Sequence, residues 1–281
     1  MSAAVATQAQ DLQDRAALVK LRRRRQLVLF LRVVFLVLVL GGWELAARTK
    51  VIDPFFFSMP SAVLGQVWTW ATEGTAQGPL LEQIWVTLYE TLLGFFIGAV
   101  LGIFFGILLG RNALLADVFS VYIKIANSIP RVVLGSIFII TLGLGTASKV
   151  ALAVVMVFFV VFANAFQGVR EADRNLIANA RILGASKRQV TTAVVLPSAL
   201  TWITASLHVS FGFALVGAVV GEFLGSRKGI GLMIATAQGT FNAAGVFASM
   251  LILAVVALAM EYLITGLENL LIKWRPAPLT E

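Results

Sequence analysis

Long uninterrupted apolar runs limit this chain more than any motif does. Residues 27–47, 84–110, 149–167, 198–224 and 245–272 each read as one membrane-spanning helix, since about 20 apolar residues cross a hydrocarbon core of ~30 Å. Residues 117–141 read as a further span, broken at Asn127-Ser128-Ile129-Pro130-Arg131. The expected fold class is therefore all-α, a polytopic membrane protein with about six transmembrane helices. Composition agrees: 59% of the 281 residues are hydrophobic and 13% charged, against about 25% charged in soluble domains. The length leaves no room for a large soluble domain. With no cysteine and a single histidine, His208, the chain excludes a disulfide framework, a thiolate metal site and a multi-histidine cluster.

The polar stretches carry the topology. Residues 1–26 form a polar, basic N-terminal segment, expected to be mobile at its start and to lie in the cytoplasm. Arg22, Arg23, Arg24 and Arg25 precede the first span as a cytoplasmic anchor would. A secretory signal peptide shares that pattern, but Arg32 interrupts its core and further spans follow. Basic residues beside a span signal topology rather than nucleic-acid binding. In a six-span arrangement fifteen Lys and Arg fall on the inner side, including Lys273 and Arg275, and five on the outer side, which places both termini inside.

Trp43 ends the first span at an interface, and a short interfacial helix is expected over 63–70. Gly94, Gly98, Gly102, Gly106 and Gly110 recur every fourth residue, so a helix carries them as one ridge on which a neighbour can pack closely. Glu90 falls near the outer end of that span. The break at 127–131 supports two readings. In one, a bent helix lines a pathway with Asn127, Ser128 and Arg131 beside it. In the other, it is a cytoplasmic elbow and the span begins after Pro130. Asn164 lies near the inner end of the fourth span. Glu222, late in the fifth, is either a pathway carboxylate or an interfacial one, because a buried carboxylate must be paired or wet. His208 reads as a packed or hydrogen-bonded residue. Residues 225–244 read as an outer loop with a short helix, and Glu261 lies inside the last span.

Between the fourth and fifth spans, residues 170–197 make a polar, basic island. Asp173 suits the N-cap of a short helix with Leu176, Ile177, Ala180 and Leu183 on one stripe. Gly184 suits the left-handed position just past it. Ser186 and Gln189 have the spacing of a capping box opening a second helix. Pro197 falls where the next apolar run starts, in a first turn that tolerates its missing N–H. The result is a knob with a small apolar face and a basic rim, suited to a soluble partner.

This island resembles the coupling loop of inner-membrane permease subunits of binding-protein-dependent ABC importers. The family pattern is Glu-Ala-Ala, three residues, Gly, nine residues, Ile-x-Leu-Pro. Ala178-Asn179-Ala180, Gly184 and Val194-Val195-Leu196-Pro197 match its spacing. Ala178, Asn179 and Val194 depart from it in replacing glutamate, alanine and isoleucine. The likeness runs from Trp43 to Trp274. It is nearest to the sulfonate/taurine/nitrate-type branch through Asp53-Pro54-Phe55, Pro60-Ser61, Ile129-Pro130-Arg131, Gly143-Leu144-Gly145 and Leu183-Gly184-Ala185-Ser186.

The resemblance implies a type I ABC importer permease fold and a permease domain over 27–275 with a short cytoplasmic tail at 276–281. It also implies alternating access driven by a separate ATPase. The implied partners are two ABC ATPase subunits carrying ATP and Mg, an extracytoplasmic solute-binding protein, a second copy of the chain and membrane lipid. The implied location is the bacterial inner membrane. The implied solute is a small anion such as a sulfonate, taurine or nitrate, with Arg131 a candidate contact. The residues themselves add that no stretch matches G-x-x-x-x-G-K-[ST] and no nucleophile–base or metal motif is present, so the chain is not expected to be an enzyme. The other readings are a secondary transporter, which would show internal repeats and intramembrane carboxylates, and an assembly protein with no pathway.

Overall fold

A computed structural model describes residues 2–271, so Lys273, Arg275 and the expected tail at 276–281 lie outside the described residues. The chain divides into two units, Met1–Leu64 and Gly65–Glu281.

The first unit is built on α1 (Ser2–Arg48), a single helix that takes in the polar start expected to be mobile. Its stretch Leu21–Arg48 is long and apolar enough to cross a membrane and buries none of its apolar window within the chain. Those side chains face outward, as in a helix solvated by lipid. A short α2 (Pro54–Phe57) follows. Asp53 caps it by accepting from Phe55 N at 2.9 Å, with Pro54 in its first turn. Next, α3 (Pro60–Thr72) takes its cap from another helix. Glu44 accepts from Ser61 N at 3.0 Å and Ser61 Oγ at 2.8 Å, and Arg48 holds Glu44 at 2.7 Å. These bonds give the Asp53-Pro54-Phe55 and Pro60-Ser61 motifs their local meaning. The expected interfacial helix over 63–70 falls inside α3.

The second unit is a bundle around α4 (Leu80–Gly110), α7 (Thr146–Arg170) and α10 (Leu196–Leu224). The glycine ridge decides its geometry. A Cβ on Gly94 would overlap that of Ala153, and one on Gly98 would lie 2.8 Å from Val157 Cβ. At Gly102, Gly106 and Gly110 the corresponding neighbours are the Cβ atoms of Val161, Ala165 and Val169 at 2.9, 2.6 and 2.9 Å. Every step of four residues on α4 is matched by four on α7, so the two helices run parallel in constant register. An adjoining face of α7 meets α10 antiparallel, and α10 also touches α4. Gly217 sits on the Ala153 backbone and Gly221 on Lys149, and Gly168 sits on Ala199 and Trp202. Ala153 is thus held between a glycine on each side. Apolar side chains fill the rest: Ala99, Val157, Val161 and Ala214 in one cluster, and Ala165, Val169, Ala199 and Ile203 in another.

Parallel α4 and α7 require the chain to return between them. It does so through α5 (Ala113–Ser128) and α6 (Arg131–Leu142), which meet at 85° across Ile129 and Pro130. The 12 residues of α6 rise only ~18 Å at 1.5 Å each, too short for a full crossing. With this bent pair counted as one span the described residues hold up to six, and five without it. Past α10, α11 (Ile230–Gly239) forms a hairpin with the start of α12 (Ala243–Leu271). The bundle therefore has a hairpin end, carrying α11 and the turn at 143–145, and a knob end, carrying 170–197.

Candidate functional site

The knob is built by local hydrogen bonds. Helix α8 (Arg174–Ile182) is capped by Asp173, which accepts from Asn175 N at 2.7 Å. It closes with Gly184 at φ +83°, Gly184 N donating to Arg181 O and Ala185 N to Ala180 O, both at 3.0 Å. That pair of bonds is the Schellman pattern, which satisfies the last free carbonyls of the helix. Next, α9 (Lys187–Val190) opens on a complete capping box. Ser186 Oγ accepts from Gln189 N at 3.3 Å, and Gln189 Oε1 accepts from Ser186 N at 2.8 Å.

Two features differ from the sequence expectation. First, α9 is not a free second helix ending before Pro197. It runs through a π-turn (Thr191–Val195), where Leu196 N donates back to Thr191 O, directly into α10. The widened turn shifts the hydrogen-bond register just ahead of Pro197, which has no N–H to donate. Buried Ala172 and Val190 root the knob at its two chain connections. The backbone therefore runs as continuous helix from α9 into α10. Second, the apolar stripe is split. Leu176 and Leu183 are 53% and 87% exposed, whereas Ile177 and Ala180 are half-buried. Ile182, which the stripe left out, is 82% exposed beside Leu183. Its place next to the glycine elbow was the available signal. Ala178 is exposed, so the position of the family's glutamate lies on the knob surface.

A second constellation lies at the hairpin end. Glu222, Glu90, Lys149, Thr87 and Gln83 are all buried there. Glu222 accepts from Thr87 Oγ1 and from Gly231 N, each at 2.7 Å. Thr87 Oγ1 also accepts from Ile230 N at 2.9 Å, and Gln83 Oε1 from Gly229 N at 2.8 Å. Lys149 Nζ donates to the carbonyls of Leu144 at 2.7 Å and Gly145 at 3.2 Å, holding the turn after α6. Glu90 Oε2 has no hydrogen-bond partner among the described residues. Apart from Glu90 and Glu222, the sequence reading passed over these residues. The legible signal was a polar stripe, Gln83, Thr87, Glu90 and Thr91, extending the glycine ridge along the same face of α4.

The pathway candidates do not converge. Glu222 has no exposed surface, and both its oxygens are engaged within the described residues. A carboxylate out of water is stable only with donors around it, and Thr87 and Gly231 supply them. Asn127 and Ser128 lie at the α5–α6 bend, Ser128 bonding back to Lys124 O at 2.8 Å. Arg131 is half-buried, bonds to Asn127, and stacks its guanidinium 5.1 Å from the Phe159 ring centre. Asn164 Nδ2 donates to Val160 O at 2.9 Å. His208 Nδ1 lies 3.2 Å from Glu261 Oε1, joining α10 to α12.

Residues 98–274 match the family of binding-protein-dependent transport system inner membrane components. The putative aliphatic sulfonates transport permease protein of Bacillus subtilis is 34% identical over 70% of this chain and 72% of its own length. The formylaminopyrimidine transport permease protein of Halalkalibacterium halodurans is 27% identical over 86% and 94%. The taurine transport system permease protein of Escherichia coli is 28% identical over 85% and 87%. Among solved structures, an inward-facing methionine ABC transporter chain aligns with TM-score 0.58 at 22% identity, covering 69% of this chain and 94% of that one. That last likeness establishes the fold. With the helical bundle, the knob at one end and the family match over most of its length, the chain belongs to the binding-protein-dependent transport system inner membrane components and is a permease subunit of an ABC importer.

Proposed function

We propose that this permease carries a small organic or inorganic anion, of the sulfonate and taurine kind, and that the knob at 170–197 is its docking element for the ATPase. The observation that supports the docking role is the knob's build: a capped helix, a glycine elbow and a capping box, continuous through the π-turn with α10. Such an element transmits displacement instead of absorbing it. The anion reading rests on the named substrates of the sulfonate and taurine relatives. In this reading both termini and the knob face the cytoplasm, two copies form the pathway in the membrane, and two ATPase subunits hydrolyse ATP with Mg. A binding protein delivers solute to the hairpin end. Asn127, Ser128 and Arg131, at the bend between α5 and α6, are the residues we assign to the pathway.

Copurification of the tagged chain with its neighbouring gene products tests the assembly. An ATPase present in equal amount, with hydrolysis stimulated by loaded binding protein, is the expected result; a chain that purifies alone and transports down an ion gradient overturns it. Because the chain has no cysteine, the docking face can be mapped directly. Leu176→Cys, Ile182→Cys and Leu183→Cys should crosslink to the ATPase efficiently, and Ile177→Cys only weakly, since it is half-buried. Crosslinking confined to Cys placed at Arg227 or Thr240, on the hairpin end, would reverse the assigned orientation.

A further inference from the structure

The first amides of a helix lack intrahelical partners and need acceptors from elsewhere. In α11 none of these acceptors is a local side chain. Gly229, Ile230 and Gly231 donate to Gln83 and Thr87 of α4 and to Glu222 of α10, and all three bonds are buried. Thr87 joins the set by donating to Glu222 while accepting from Ile230 N. The carboxylate also lies where the helix dipole favours negative charge. The fit is tight: a Cβ on Gly229 would overlap the Glu222 carboxylate, and one on Gly231 would overlap Val219 O. Two outer ties add to it, Gln77 Nε2 to Thr236 Oγ1 at 2.9 Å and the Lys228–Glu82 ion pair.

Two other helices therefore cap the hairpin jointly, and both belong to the glycine-packed bundle. We infer that Glu222, acting with Thr87, is a positioning residue that makes the hairpin around α11 move as one body with α4, α7 and α10 during transport. Displacement entering α10 from the knob then reaches the opposite end of the subunit without slack. This inference rests on the importer reading above.

Hydrogen exchange on the intact complex with its ATPase tests it, read from overlapping peptides across 225–235 in the nucleotide-free and vanadate-trapped states. In the wild type the amides of 229–231 should stay protected equally in both. Thr87→Val keeps the side-chain shape but removes the hydroxyl's bonds to Glu222, to Ile230 N and to Gln83 O. It should speed exchange at Ile230 by about tenfold or more and lower solute-stimulated turnover with the basal ATPase rate kept. Thr87→Ser, which restores the hydroxyl, should restore both. Wild-type amides that open in the trapped state overturn the inference, as does Thr87→Val transport at the wild-type rate despite lost protection. Failure of the importer reading shows separately, as a wild-type chain with no ATPase bound.

Discussion

Gly184→Val should reduce the ATP hydrolysis stimulated by loaded binding protein by about tenfold or more while leaving membrane insertion intact. The elbow holds Gly184 at φ +83°, where an L side chain costs roughly 1–2 kcal/mol and a β-branched one the most. A penalty of 1.4 kcal/mol is a tenfold loss of the elbow conformation. No heavy atom lies within 4 Å of the place a Cβ would occupy, so the penalty is conformational and crowding adds nothing. That distinction orders a series. Gly184→Asn should keep most coupling because asparagine tolerates this backbone region, Gly184→Ala should be intermediate, and Gly184→Val worst. Solute-stimulated ATPase rates in proteoliposomes measure the order. Equal coupling in all three would show that the elbow is dispensable, and a ranking by side-chain volume with asparagine among the worst would point to a hidden contact.

Gly102→Ala should destabilise the permease by about 1–3 kcal/mol or more through overpacking, and Gly102→Leu should yield no folded protein. The added Cβ would sit 2.9 Å from Val161 Cβ and 3.0 Å from the backbone O of Phe158 and N of Phe162. Backbone atoms cannot rotate away, so relief requires the helices to separate. Gly212→Ala is the matched control on α10: nothing lies within 4 Å of its Cβ position, and alanine favours helix by about 1 kcal/mol. It should be neutral or slightly stabilising. Gly94→Ala occupies the middle case, since its conflict is with the Ala153 side chain, and the added Ala153→Gly should recover part of the loss. Thermal unfolding of the detergent-purified subunit reads all four. If Gly102→Ala melts with Gly212→Ala, the ridge is not the packing surface the structure shows.

Local signals made the helices legible. Each apolar run can satisfy its backbone in lipid only by coiling on itself, so length and hydropathy locate the spans without reference to neighbours. The knob was legible for the same reason. Asp173, Gly184, Ser186 and Gln189 act through hydrogen bonds to residues within five positions, and their spacing carries the geometry. The glycine repeat announced close packing but could not name the partner, because a smooth ridge accepts any helix with small residues at matching pitch.

Tertiary structure decided the rest. That α7 runs parallel to α4 and meets the ridge with Ala153, Val157, Val161, Ala165 and Val169 depends on how the chain returns through the 85° bend. That Glu222 accepts from Gly231 at the start of α11, which its position at a span end did not reveal, depends on bringing residues 83, 87, 222 and 229–231 together across α4, α10 and α11. A single carboxylate in sequence gives the cost of its burial and not the identity of its donors, and only the packed fold supplies them.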